Sequence, residues 1–132
     1  MMRILIVDDN ASAAHATAAL LVQWGHEVRL ALDGASAIAA ARAWRPQLVL
    51  LDIGLPGMDG FDVAATLRLE PALAACRIIA MSGLCRTGDS GHVAEAGIEL
   101  LLAKPLDIAF LRSLVGDAAC ARPAPSRPPM WD

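Results

Sequence analysis

Residues 47–60 read QLVLLDIGLPGMDG: four apolar side chains, Leu48 to Leu51, run straight into Asp52, and the chain then turns through Gly54, Pro56 and Gly57. A continuous apolar run bounded by turn residues predicts a strand buried on both faces, as in the middle of a parallel sheet. A carboxylate at the end of such a strand is expensive to bury unless it has a partner or a chemical task.

Working outward, four more β-rich runs appear, at 4–7, 27–31, 77–81 and 100–103, and each run, like 48–51, is followed by a helical or Ala-rich segment. Ala14, Ala18 and Leu21 at helical spacing predict a helix over 11–24, with Asp9 or Asn10 as its cap and Gly25 as its stop. Asp33 can cap a helix to Trp44, Asp59 one to about Leu69 before Pro71 ends it, and Asp107 one to about Ala118. A short helix is expected at 90–96, because Gly88 and Gly91 oppose anything longer.

Alternating strands and helices predict parallel strands joined by right-handed crossovers, an α/β sandwich with helices on both faces. The second run alternates Glu27, Val28, Arg29, Leu30, which suits an edge, whereas the first, third and fourth are continuously apolar. A doubly wound order of 2-1-3-4-5 satisfies both patterns. The expected organisation is one domain over 1–120 and a Pro-rich, disordered tail over 121–132.

Composition narrows the function. Hydrophobic residues make up 56% of the 132, yet no apolar run approaches the roughly 18 to 20 residues of a spanning helix. The opening MMRILIVDDN lacks the form of a signal peptide, so a cytoplasmic protein is expected. Cys76, Cys85 and Cys120 are odd in number and lack a CxxC pair, which points to apolar filler in a reducing compartment. A net charge of −3, no Tyr and few other aromatic residues argue against direct nucleic-acid binding.

In a parallel sheet, ligands bind in the crevice at the carboxyl ends of the strands. The predicted strands deliver Asp8 and Asp9, Asp52, Ser82 and Lys104 to that edge. Three carboxylates together repel one another unless a cation neutralises them or they take up protons. Oxygen ligands with room for water suit Mg2+, and there is no nearby His or Cys to favour zinc. A carboxylate beside Mg2+ can attack phosphorus and form an aspartyl phosphate. Lys104 supplies a further cation, Ser82 a hydrogen bond to phosphoryl oxygen, and the glycines after Asp52 allow close backbone approach.

The stretches ILIVDDN, LVLLDIGLPGMDG, IIAMSG and LLLAKPL, in this order, resemble the receiver domain of two-component response regulators, over about residues 2–118. The resemblance implies a (βα)5 flavodoxin-like three-layer sandwich and a stand-alone, cytoplasmic phosphoprotein of a two-component or phosphorelay system. It implies that Asp52 is the phosphoacceptor, taking its phosphoryl group from a sensor histidine kinase or histidine phosphotransfer protein. Asp9 and Asp52 would bind Mg2+ directly, Asp8 through water, with the Gly54 carbonyl as a further ligand. Ser82 and Lys104 would contact the phosphoryl group, and Lys104-Pro105 would carry a cis peptide bond. Such a chain catalyses its own phosphorylation and dephosphorylation. Output would pass to another protein through the fourth helix, fifth strand and fifth helix, a face that could include Leu101, Phe110 and Leu114, in a monomer or weak homodimer.

One position departs from the family pattern: Leu101 stands where an aromatic residue usually partners Ser82 in switching. Added charge of roughly −1.5 to −2 must still move Ser82 and its loop, and residues 84–93 are expected to reorder. Gly54 and Leu84 flank the site and are expected to influence the lifetime of the phosphorylated state. His15, His26 and His92 form no metal-like pair and are expected on the surface or a helix face, while Trp24 and Trp44 look like packing residues. Among the aromatic residues only Trp131, in the tail, could dock a partner. Two other readings compete: an aspartate-nucleophile phosphohydrolase of haloacid dehalogenase type, and a receiver-like binding module that takes no phosphate. The first expects DxD after the opening strand, where this chain has Asp8-Asp9-Asn10.

Overall fold

The computed structural model describes residues 2–55, 57–83, 96–104 and 106–120, with side chains to 115. Five parallel strands, β1 (Arg3–Val7), β2 (Glu27–Ala31), β3 (Leu48–Asp52), β4 (Arg77–Ser82) and β5 (Leu100–Ala103), pair in the order β2-β1-β3-β4-β5. The described helices are α1 (Ala11–Gln23), α2 (Gly34–Trp44), α3 (Gly60–Arg68) and α4 (Ile108–Cys120). The expected doubly wound α/β architecture and strand order are therefore present. The expected helix at 90–96, apart from Ala96 in a turn, falls outside the described residues, as do the 84–93 segment, Pro56, Pro105 and the 121–132 tail.

The alternation of side chains along each strand builds two cores. Leu5, Val7, Val49, Leu51, Ile78 and Ala80 face α2 and α3, where Ala37, Ala41, Val63, Ala64 and Leu67 close the layer. Ile4, Ile6, Leu48, Leu50, Ile79 and Met81 face α1 and α4, meeting Ala14, Leu21, Leu111, Leu114 and Val115. Burying a side chain of this size contributes about 1.5–3 kcal/mol, so the central strands carry much of the stability. β2, with its exposed Glu27 and Arg29, is an edge, as its alternation predicts.

The helices start where the sequence provides acceptors. Asn10 Oδ1 accepts from Ala13 N, Asp33 Oδ1 from Ser36 N, Asp59 Oδ1 from Phe61 N, and Asp107 Oδ1 from Ala109 N and Phe110 N. Each such cap is worth about 1 kcal/mol. The cap of α1 is thus Asn10, and α1 stops at Gln23, with Gly25 at φ 95° turning the chain. Helix α3 ends at Arg68, and Pro71 opens a separate 3-10 turn, Pro71–Leu73. β3 and β4 each run one residue further than the apolar pattern suggests, because Asp52 pairs with Met81 and Ser82 with Ala103.

Several secondary expectations need adjustment. His26 is half-buried, and its Nδ1 accepts a hydrogen bond from the Met2 backbone N–H, so it is a structural acceptor in the α1–β2 turn. Trp24 and Trp44 pack against the two cores, and each lies beneath a guanidinium, Arg112 over Trp24 and Arg29 over Trp44. Cys76 is buried filler as expected, and burial pushes its thiol pKa up to about 11. No helix among the described residues is long and apolar enough to cross a membrane.

Two residues make the frame testable. At Gly60, the start of α3 lies so close to β3 that a Cβ would overlap Ile53 Cα and stand 2.9 Å from the Asp52 carbonyl oxygen. The Gly60→Ala variant should lose about 3 kcal/mol, the upper end of overpacking costs because backbone must move, measured by urea unfolding. Burial lowers the pKa of His26 below its ordinary 6.5. The folded state therefore favours the neutral ring, and its stabilising contribution is present above pH 6.5 and lost as pH falls through the lowered value. Melting temperatures from pH 7.5 down to 5 should fall more steeply for the wild type than for His26→Gln.

Candidate functional site

Backbone pairing sets the site at the carboxyl edge of the sheet. Asp8 N donates to Ala31 O at 3.1 Å, prolonging the β1–β2 ladder, and Lys104 N donates to Ser82 O at 2.9 Å, prolonging the β4–β5 ladder. Asp52 is the last residue of β3 and Ser82 the last of β4. These extensions hold Asp8, Asp52, Ser82 and Lys104 at neighbouring strand ends. Asp8, Asp52 and Ser82 are the buried polar residues there, 3%, 7% and 7% exposed.

Lys104 Nζ lies between the two buried carboxylates, donating to Asp8 Oδ2 at 3.0 Å and to Asp52 Oδ2 at 3.1 Å. The other oxygens are also engaged. Asn10 N donates to Asp8 Oδ1 at 3.0 Å and Gly54 N to Asp52 Oδ1 at 2.9 Å. Partial burial works against the Lys104 ammonium, but hydrogen bonds and charge from Asp8 and Asp52 outweigh it and hold its pKa above the ordinary lysine value. Lys104 is therefore a fixed positive charge at neutral pH.

Asp9 is exposed, yet Asp8, Asp9 and Asp52 each offer a carboxylate oxygen within 4.8 Å of the others. Three carboxylates and one ammonium carry a net charge of −2. A divalent cation would neutralise that charge, and an oxygen-only donor set suits a hard ion such as Mg2+ better than zinc.

A cleft of about 390 Å³ opens over Asp52, walled by Gly54, Asp59, Phe61, Ser82, Gly83 and Lys104. Asp59, Phe61 and Gly83 were not legible as wall residues, because Asp59 signals only a helix cap and Gly83 has no side chain to read. Phe61 lies two residues after the cap, and that spacing is the one signal that could have placed it near the site. A second groove of about 470 Å³ opens on the other side of Lys104, between α1 and α4. Leu101 is half-buried against the core that faces α3, Phe110 is exposed, and Leu114 is buried beneath α4. Leu114 therefore does not belong to an exposed partner face, since its helical position turns it inward with Leu111.

Comparison with known proteins agrees with this geometry. The sequence model of the response regulator receiver domain matches residues 4–116. The chain is 36% identical over 109 residues to the response regulator PleD of Caulobacter vibrioides, covering 83% of this chain but only 24% of PleD. It is 34% identical to protein PilH of Pseudomonas aeruginosa, over 81% of this chain and 88% of PilH. Thus it spans about a quarter of PleD and most of PilH. The solved structure of the Vibrio cholerae chemotaxis protein CheY4 superposes with a TM-score of 0.84 at 25% identity, over 89% of this chain and 98% of that one. With the sheet order, the strand-end residues and this match in agreement, the chain belongs to the response regulator receiver domains of two-component signalling.

Proposed function

We propose that this receiver accepts a phosphoryl group on Asp52 from a phosphohistidine of a sensor kinase or phosphotransfer protein. The observation that carries the reading is the placement of Asp52 on the wall of an open cleft, with Lys104 at 3.1 Å and Ser82 lining the same cleft. In the forward step an Asp52 carboxylate oxygen attacks phosphorus, the N–P bond breaks, and its electron pair returns to the imidazole. Lys104, already charged, neutralises phosphoryl oxygen, and the Ser82 hydroxyl donates to another. Both act where negative charge is concentrated in the transferring group.

The donor set fits Mg2+. Asp9 and Asp52 would hold it directly, Asp8 through water, and the Gly54 carbonyl would complete the protein's share. When bound, the ion offsets the carboxylate charge and that of the phosphoryl oxygens. The same residues then serve hydrolysis, so the chain catalyses both its phosphorylation and its reset. Ser82, buried at the end of β4, is the residue through which added charge would be felt by the segment that follows it. Output would pass by protein contact on the β5–α4 side, where Phe110 is exposed.

Incubation with Mg2+ and acetyl phosphate should add one phosphoryl group, read by intact mass. The gain should vanish completely in Asp52→Asn and on chelation of the metal. A wild type that stays unmodified with small donors and with a phosphohistidine protein alike would sink the reading. Rapid turnover of many phosphomonoesters would instead point to a phosphohydrolase.

A further inference from the structure

Helix α2 is Ala-rich but begins on Gly34, although glycine is a poor helix former. Its φ is not positive, so conformation does not call for it. Space does. A Cβ at 34 would stand 2.8 Å from Met58 Sδ, 3.1 Å from Met58 Cβ and 3.0 Å from Val63 Cγ2. Met58 thus lies along the buried start of α2, in a hollow that glycine leaves open. Met58 belongs to the turn from β3 to α3, between Gly54, whose N–H bonds Asp52 Oδ1, and Asp59, whose side chain caps α3. Leu55 anchors this turn in the core near Gly54 and Met58 anchors it near Asp59, while Gly54, Gly57 and Asp59 are exposed. The other end of the β2–α2 turn also reaches the site, since Ala31 O accepts from Asp8 N at 3.1 Å. The stretch from Ala31 to Gly34 therefore meets both the strand end that carries Asp8 and Asp9 and the turn that carries Gly54. It supplies none of the three carboxylates clustered there.

We propose that the β2–α2 turn is a brace that sets the spacing between the two halves of the Mg2+ site, with Met58 and Gly34 as positioning residues. The proposal rests on the reading of Asp9, Asp52 and the Gly54 carbonyl as ligands. Mg2+ demands near-ideal geometry at short ligand distances, so a turn free to drift by part of an ångström holds it less well. Met58 and Gly34 act through backbone: seated on α2, Met58 fixes the far end of the turn and keeps Gly54 over Asp52. A thioether is unbranched and long enough to lie along such a hollow. A methyl at 58 would remove the anchor near Asp59. A methyl at 34 would push the thioether, and the turn with it, away from α2.

The test uses the full chain as wild type, Met58→Ala, Met58→Leu, Gly34→Ala, the double alanine variant and, as a control, Leu67→Val, which thins the same core layer elsewhere. Mg2+ is titrated with no phosphoryl donor and followed by the backbone amide shifts of Gly54 and Asn10, with urea midpoints measured in parallel. The expected result is severalfold weaker Mg2+ affinity in Met58→Ala and in Gly34→Ala, and wild-type affinity in Met58→Leu. Leu67→Val should keep wild-type affinity despite a lower midpoint. Residues in contact couple, so the double variant should bind no more weakly than Met58→Ala, there being no thioether left to displace. Without metal, amide exchange at Gly54 should quicken in Met58→Ala while β1 and β3 keep theirs. The Met58 variants and the control carry the test if Gly34→Ala fails to fold. Unchanged affinity in the single alanine variants, additive losses in the double, or a loss in Leu67→Val that tracks its midpoint overturns the brace and leaves the ion reading intact. A wild type without Mg2+-dependent shifts overturns both.

Discussion

Everything at the carboxyl edge of the sheet turns on one ammonium group. Lys104 reaches from the end of β5 across β4 to bond carboxylates that follow β1 and end β3. Two nearly buried carboxylates repel each other, and leaving either without its counter-charge costs about 3–5 kcal/mol. Their juxtaposition is tolerable because the ammonium is positioned by backbone: the bond from Lys104 N to Ser82 O fixes where the side chain departs. A shift of one residue in that register would turn the lysine to the other face of the sheet. The apolar packing of the central strands thus has an electrostatic purpose. It holds charges of opposite sign at separations that water would otherwise screen.

Much of this was legible in the sequence, for identifiable reasons. The buried strands announced themselves because Leu48 to Leu51 and Ile78 to Met81 are apolar on both faces, and the edge because Glu27 and Arg29 alternate with apolar neighbours. The caps at Asp33, Asp59 and Asp107 were readable because their chemistry is local. Asp8, Asp52, Ser82 and Lys104 could be gathered because parallel strands place their carboxyl ends together. What escaped depends on neighbours distant in sequence. Nothing local says that the Met2 N–H meets His26, that Leu114 turns inward, or that Gly83 faces a cleft. The last residues of β3 and β4 also escaped, since Asp52 and Ser82 are polar and join the ladder only through their partners.

The far edge of the sheet is held differently. There arginines bind carbonyl oxygens: Arg3 takes Arg45 O, Arg68 takes Gly97 O through two nitrogens, and Arg77 takes Leu114 O while pairing with Glu99. A guanidinium offers a rigid fork of donors, so each of these side chains can tie segments together beyond the bonds of the ladders. Arg68 in particular fastens the end of α3 to the chain entering β5, and Gly97 has no side chain to obstruct it. One edge of the fold is thereby fixed by guanidinium bonds to carbonyl oxygens and to Glu99, and the other leaves its carboxylates for chemistry.

The positions of the two tryptophans carry an experimental consequence. Trp24 closes α1 and Trp44 ends α2, both where helices return toward the start of the next strand, and each lies beneath a guanidinium. Their indoles therefore sense the opposite pole of the molecule from Asp52. Intrinsic fluorescence from these two residues is a gauge of whether the sandwich is intact, and stays blind to events among the carboxylates. Optical detection of ion or phosphoryl binding calls for a reporter placed on the cleft wall itself, and Phe61 is the ring already standing there.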